Sequence, residues 1–185
     1  MTQSKVKKSR SINLTTAFVR VRPSDPRRGL IEIGSLKLPC ALGRSGVRVN
    51  KREGDGATPV TRLRPVRIFY RFDRTFRPPN THLPRRIIKA NDGWCDAPLS
   101  PAYNRLVSCP FPHSHEQMWR QDHLYDLVIE TDWNLKPRRP FHGSAIFIHL
   151  AREGYKPTEG CIALSRKDMR LLLLKLARIR AFKIG

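Results

Sequence analysis

No apolar run in these 185 residues exceeds four, at 145–148 and 171–174. A membrane-crossing helix needs about 20 consecutive apolar residues, so none is encoded. The first 30 residues also lack the apolar stretch of a secretory signal and are basic instead. Acidic residues are scarce, 15 against 36 Lys and Arg, which leaves a net charge of +21. Such an excess favours anionic partners without choosing among them. The basic residues are spread along the whole chain, aromatics make up only 8%, and no RNA-binding aromatic signature occurs. Nucleic acid is therefore not the expected main partner. No CxxC pair is present among Cys40, Cys95, Cys109 and Cys161, which argues against a zinc ribbon or a thioredoxin motif. A chain of this size does not need disulfide staples to fold. The one metal-like spacing is Cys109, His113 and His115, interrupted by Pro110 and Pro112. Without a second pair of ligands at zinc spacing it reads as a turn-rich loop, and no metal is expected.

What is present is enough for a core: 39% of residues are hydrophobic. The length fits one domain, over 12–185, behind a basic tail at 1–11. Internal repeats are missing. The middle is rich in proline (Pro78, Pro79, Pro84, Pro98, Pro101, Pro110, Pro112), and with Gly54 and Gly56 this predicts a loop-rich, mostly β fold. Alternation places Val66, Ile68, Tyr70 and Phe72 on one face of a strand. Further strands are expected at 18–21, 30–33, 36–42, 87–89, 124–131 and 145–150, with Pro39 making the 36–42 run an edge or bulged strand. One clear helix follows Ser165, which pairs with Asp168 in a capping-box-like arrangement. Met169, Leu172, Leu173, Leu176 and Ile179 form its apolar stripe, and a minor helix is expected over 102–107.

The chemistry concentrates near the C-terminus. His149 ends the apolar run 145–148, and Cys161 follows Gly160 at the head of another short apolar stretch. The eleven residues between them suffice for a hairpin that brings the two side chains together. A histidine beside a cysteine can supply the thiolate, the nucleophilic form, making Cys161 the most reactive of the four thiols. Gly160 would let a substrate carbonyl approach, with the N–H groups of Gly160 and Cys161 facing an oxyanion. The same two residues also fit a buried structural cysteine and a hydrogen-bonded core histidine, and spacing alone does not separate the readings.

His149 followed by Thr158-Glu159-Gly160-Cys161-Ile162 resembles the L,D-transpeptidase catalytic (YkuD-type) domain, whose signature is a His, a loop, then Ser/Thr-His-Gly-Cys and an apolar residue. Lys51-Arg52-Glu53-Gly54-Asp55-Gly56-Ala57-Thr58-Pro59, Gly93-Trp94-Cys95-Asp96 with Tyr103-Asn104, and His123-Leu124-Tyr125-Asp126 are similar to further segments of that family, in family order. The resemblance implies a β-rich catalytic fold and a cysteine acyl transfer on peptidoglycan stem peptides of the meso-diaminopimelate type. Cys161 would form a thioester on the L-centre carbonyl of the diaminopimelate as the terminal D-amino acid leaves. An amine from a second stem, or another D-amino acid, would then resolve it. His149 would be the base, Thr158 would orient the site, and Gly160 with Cys161 would supply the oxyanion donors. No cofactor is implied, and no obligate protein partner is visible. The family suggests the periplasm or cell envelope, while the missing signal leaves the cytoplasm open.

The departures bear on specificity. Glu159 stands where the family has His, Ala163 where it has Arg or Asn, and Leu150 where many members have Gly. A carboxylate at Glu159 and a missing guanidinium at Ala163 would make the pocket less welcoming to a tetrapeptide's free carboxylate. A 1,3 rather than the common 3,3 cross-link is the resulting expectation. Arg152, Arg166, Tyr125, Asp126 and Trp94 are, with Glu159, the candidate substrate contacts, the arginines as carboxylate forks. The rival activities are L,D-carboxypeptidase hydrolysis of the same stems and, from another class, a non-catalytic basic module that binds polyanions.

Overall fold

The computed structural model describes residues 15–75 and 80–185. The tail at 1–11 and the prolines Pro78 and Pro79 lie outside the described residues. An antiparallel meander opens the fold with β1 (Thr15–Arg22), β2 (Asp25–Ile33) and β3 (Leu36–Ala41). Short strands β4 (Val47–Arg48), β5 (Thr58–Pro59) and β6 (Arg62–Leu63) follow. Then come β7 (Pro65–Tyr70), the one-turn helix α1 (Phe72–Thr75) and β8 (Arg85–Ile87). A small antiparallel sheet is made by β9 (Asp92–Cys95), β10 (Arg105–Ser108) and β11 (His115–Gln117). The chain ends with β12 (Leu127–Thr131), β13 (Phe147–Leu150), β14 (Ile162–Leu164), helix α2 (Arg166–Lys175) and β15 (Ile179–Ile184). No helix among the described residues is long and apolar enough to cross a membrane.

The fold is mostly β, as its composition predicts, with one substantial helix near the C-terminus. The large sheet has ten strands in the order β6-β15-β1-β2-β3-β14-β13-β12-β7-β8. Alternate residues of these strands (Val19, Ile31, Leu38, Ile68, Ile129, Ile148) pack in one core with Met169, Leu172 and Leu176 of the α2 region. Burying a leucine such as Leu172 stabilises the fold by about 1.5–3 kcal/mol. Phe69, Val128 and Phe147, on the opposite faces of the same strands, build a second core with Trp94, Met118 and Tyr125. That second core reaches Cys161.

Several local expectations are corrected. Helix α2 begins as predicted, with the Ser165 hydroxyl accepting from the Asp168 N–H, but it stops at Lys175. A single 3₁₀ turn follows, and Ile179 enters the core as the first residue of β15, where it pairs with Thr15. Residues 102–107 are no helix: Asn104 takes φ 53°, and β10 begins at Arg105 to pair with Cys95. Phe72 leaves the predicted strand face because β7 ends at Tyr70, and its side chain is exposed. The strand carrying Pro39 is interior, between β2 and β14. It tolerates proline because β14 meets it only at Ala41, so the second edge at Pro39 makes no ladder bond.

Candidate active site

The pairing of β13 with β14 sets the site. It is parallel, with Ile148 opposite Ile162 and His149 opposite Ala163. The eleven residues between His149 and Cys161 therefore form a crossover rather than the expected hairpin, since a hairpin makes only antiparallel neighbours. The crossover carries a 3₁₀ turn at Glu153–Tyr155 and returns through Thr158. It delivers Cys161 just ahead of β14, beside Phe147. The Cys161 thiol donates to the Ala145 carbonyl at 3.0 Å, and its sulfur accepts from the Phe147 N–H at 3.3 Å.

Cys161 and His149 line one cavity of about 450 Å³. Thr158, Glu159, Arg152 and Tyr125, all anticipated from the sequence, line it too. So do Glu53, Asp96, Glu116, Arg120, Ser144 and Lys156, which sequence reasoning missed. Glu53 and Asp96 lie in family-like segments, 51–59 and 93–96, but no role attached to them there. Glu116 carries no positional signal beyond being a carboxylate in a chain that has few.

Thr158 organises the turn before the cysteine. Its hydroxyl donates to the Cys161 carbonyl at 2.6 Å and accepts from the Gly160 N–H at 3.2 Å. One of the two anticipated oxyanion donors is therefore engaged. Gly160 is required by the backbone: its φ is +133°, and a Cβ there would sit 2.7 Å from the Ala57 carbonyl oxygen. The neighbour that forces this is the 54–58 segment, whose Gly54-Asp55-Gly56 turn is tied down by Asp55. That carboxylate accepts from the Arg52 N–H (2.8 Å), the Ala57 N–H (2.9 Å) and the buried Lys51 ammonium (2.6 Å).

Burial governs the charge states. It pushes the Cys161 thiol up from 9.0 to about 12, with the Glu116 carboxylate adding to the rise and the Phe147 N–H and Lys51 opposing it. It pushes the His149 imidazole down from 6.5 to about 4, against the pull of the Leu150 carbonyl, with Arg120 and Arg152 lowering it further. At neutral pH the pair is thiol and imidazole, so the expected thiolate enrichment of Cys161 is corrected. A neutral thiol beside a neutral imidazole describes the pair better than a preformed ion pair. His149 Nδ1 lies 2.8 Å from the Leu150 carbonyl, which can only accept, so Nδ1 carries the hydrogen and Nε2 is the basic nitrogen. Among the described residues no hydrogen bond joins His149 to Cys161. The Tyr125 ring packs edge-on against the imidazole at 5.2 Å.

The remaining candidates divide. Tyr125 donates its hydroxyl to Glu116 at 2.7 Å. Asp126 lies outside the cavity lining and holds two guanidiniums, Arg74 at 3.2 Å and Arg166. Arg166 is thereby committed to Asp126 and does not reach the cavity. Trp94 is a core residue, edge-on to Phe69 and Phe147, with its indole N–H donated to Asn104 at 2.9 Å. Glu159, 76% exposed, is paired at 2.8 Å with Arg44, a partner 115 residues away that no local pattern indicates. Asn104, part of the family-like Tyr103-Asn104 pair, has a role that only the fold reveals. Only 1% exposed, it accepts from the Ala145 N–H (3.0 Å) and donates to the carbonyls of Trp133 and Asn134. It thus holds Ala145 at φ 50°, with the carbonyl toward the Cys161 thiol. The Cys109–His113–His115 stretch places His115 against the His113 carbonyl and the Phe111 ring. No group of three His, Cys, Asp or Glu among the described residues is arranged to hold a metal ion.

The family model for the L,D-transpeptidase catalytic domain, YkuD, matches residues 16–177. No curated protein and no solved structure matches the chain.

Proposed function

This chain belongs to the YkuD family of L,D-transpeptidase catalytic domains, which act on peptidoglycan stem peptides, and we propose that Cys161 is its nucleophile and His149 its general base. The observation that carries the assignment is the single cavity lined by both side chains, with Nε2 of a neutral His149 left basic.

The reaction starts from the neutral pair. The thiol hydrogen turns from the Ala145 carbonyl toward His149, and Nε2 takes the proton as sulfur attacks the donor carbonyl carbon. The Phe147 N–H, already on the sulfur, stabilises the charge that develops there. The tetrahedral oxyanion collapses to a thioester. The departing amine takes the proton back from His149, so acid and base are one residue in the two directions. In the second half an acceptor amine attacks the thioester and gives its proton to Nε2, and the thiolate leaves and is reprotonated. Water in place of the amine gives the carboxypeptidase outcome.

The bond formed is proposed to be 1,3 rather than 3,3. Ala163 faces the cavity with no guanidinium to fork a tetrapeptide carboxylate. The repulsion expected from Glu159 is weakened by Arg44, so this reading rests mainly on what position 163 lacks.

Incubation of the protein with purified muropeptides, followed by mass spectrometric sequencing of dimers, tests both parts. Cross-linked dimers that vanish with Cys161→Ala are expected. Dimers that persist with Cys161→Ala overturn the nucleophile. Exclusively 3,3-linked dimers, unchanged by Ala163→Arg, overturn the specificity.

A further inference from the structure

The cavity has a wall that the chemistry of Cys161 and His149 does not use. It is made by Glu53 ahead of the 54–56 turn, Asp96 just after β9, and Glu116 in β11. The Tyr103 hydroxyl donates to one oxygen of Glu53, and the Tyr125 hydroxyl to one oxygen of Glu116. Asp96 Oδ1 is buried without a hydrogen-bond partner. The three groups feel one another: Asp96 adds to the upward push on Glu116, and both Glu53 and Asp96 add to that on the Tyr103 hydroxyl.

Cationic partners are conspicuously few for a chain of net charge +21. Among the described residues Glu53 and Asp96 make no salt bridge. Glu116 has only Arg120, at 3.8 Å, and that guanidinium is committed to Asp122 at 2.7 and 2.8 Å. A second observation comes from Ser144. Its side chain lines the same cavity, is 7% exposed, and makes no hydrogen bond among the described residues. A buried carboxylate oxygen such as Asp96 Oδ1 is costly to leave unmet unless a ligand completes it, and the Ser144 hydroxyl beside the same cavity is free to join. The acceptors come from separated segments of the chain that line one cavity.

We propose that Glu53, Asp96, Glu116 and Ser144 form a subsite for the ammonium group of an amine substrate. The proposal rests on reading this cavity as the transpeptidase site, and it deepens that reading by placing amine recognition at Glu53, Asp96 and Glu116. An ammonium offers three donors to acceptors that lack them, and a charge-assisted bond to a carboxylate is about twice as strong as a neutral one. The bound ammonium gives one proton to a wall carboxylate before its nitrogen attacks the thioester, and water, small and neutral, gains nothing comparable there, so the wall favours amine acceptors over hydrolysis.

The test uses Cys161→Ala protein, which cannot turn over, titrated by NMR with glycinamide and with glycolamide, its neutral hydroxyl counterpart. At pH 6.5 the amine is protonated, and glycinamide is expected to bind about tenfold more tightly. The comparison needs no change to the wall itself. In Glu53→Gln/Asp96→Asn the preference is expected to disappear while glycolamide binding is retained, which also verifies folding. Equal binding of the two probes, or a preference that survives the double substitution, overturns the subsite. Persistence of muropeptide turnover in Cys161→Ala would instead overturn the nucleophile and leave the ammonium result standing.

Discussion

Replacing His149 by asparagine should flatten the acid side of the protein's stability profile. The imidazole is 6% exposed, flanked by Arg120 and Arg152, and held near pKa 4 against an ordinary 6.5. Its folded value is depressed, so above pH 6.5 both states are neutral and the full stability is present. As pH falls through the 6.5-to-4 window the unfolded chain takes up a proton that the folded one refuses, and stability is lost. The shift corresponds to about 3 kcal/mol, a large share of the roughly 5–15 kcal/mol that holds a domain together. Asparagine keeps an amide donor for the Leu150 carbonyl but cannot titrate. Urea unfolding at half-unit steps from pH 4 to 8 should show wild type losing about 3 kcal/mol more than His149→Asn. Parallel profiles, or an NMR titration of His149 above pH 6, would refute the neutral-pair starting state. The Cys161 thiol gives the mirror image. Its raised value, about 12 against 9.0, means stability is complete below pH 9 and declines as pH climbs through that window.

Two more substitutions probe the scaffold around the thiol. Asn104→Ala strands the Trp94 and Ala145 N–H groups and should cost about 3 kcal/mol in thermal or urea unfolding. Turnover should fall further than stability explains, and Ala145→Gly, free of the positive-φ penalty, should restore it about fivefold; no restoration would mean Asn104 does not act through Ala145. Gly160→Ala, which meets the Ala57 carbonyl, should cost about 3 kcal/mol, whereas Gly54→Ala, with φ +71° and open space, should cost about 1 kcal/mol. Equal costs would show that φ alone, rather than the close approach, fixes residue 160.

What the sequence disclosed was local. The alternation through Ile68 and Tyr70, the Ser165 cap and the Gly54–Gly56 turn are dictated by residues a few positions apart, and each appears in the fold. The end of α2 did not, because Ile179 suits a helix stripe and a strand equally, and only pairing with the distant β1 decides it. Residues 102–107 failed for the same reason, since β9 claims Arg105 through Ser108. In the site, His149 and Cys161 stood out by type and spacing. Arg44, Asn104 and Glu116 did not, because their roles exist only once segments tens of residues apart touch. The sign of the thiol's shift was equally hidden: it follows from burial, which no single motif encodes.

The parallel crossover between β13 and β14 separates two kinds of heredity in this protein. The sheet register fixes His149 and the start of β14, so neither can wander without slipping a ladder. The crossover that joins them contributes Arg152, Lys156, Thr158 and Glu159 to the cavity, and its backbone is held at Ala151 against Leu164, at the Gly154 carbonyl by the Arg28 guanidinium, and at Thr158 against Leu42 and Arg44. Arg152, Lys156 and Pro157, which line the cavity, make no side-chain hydrogen bond among the described residues, so exchanging them costs little provided the Gly154 and Tyr155 contacts are kept. New cavity linings can thus be tried out by exchanging a few side chains of one short loop, with His149 and Cys161 carried along unaltered.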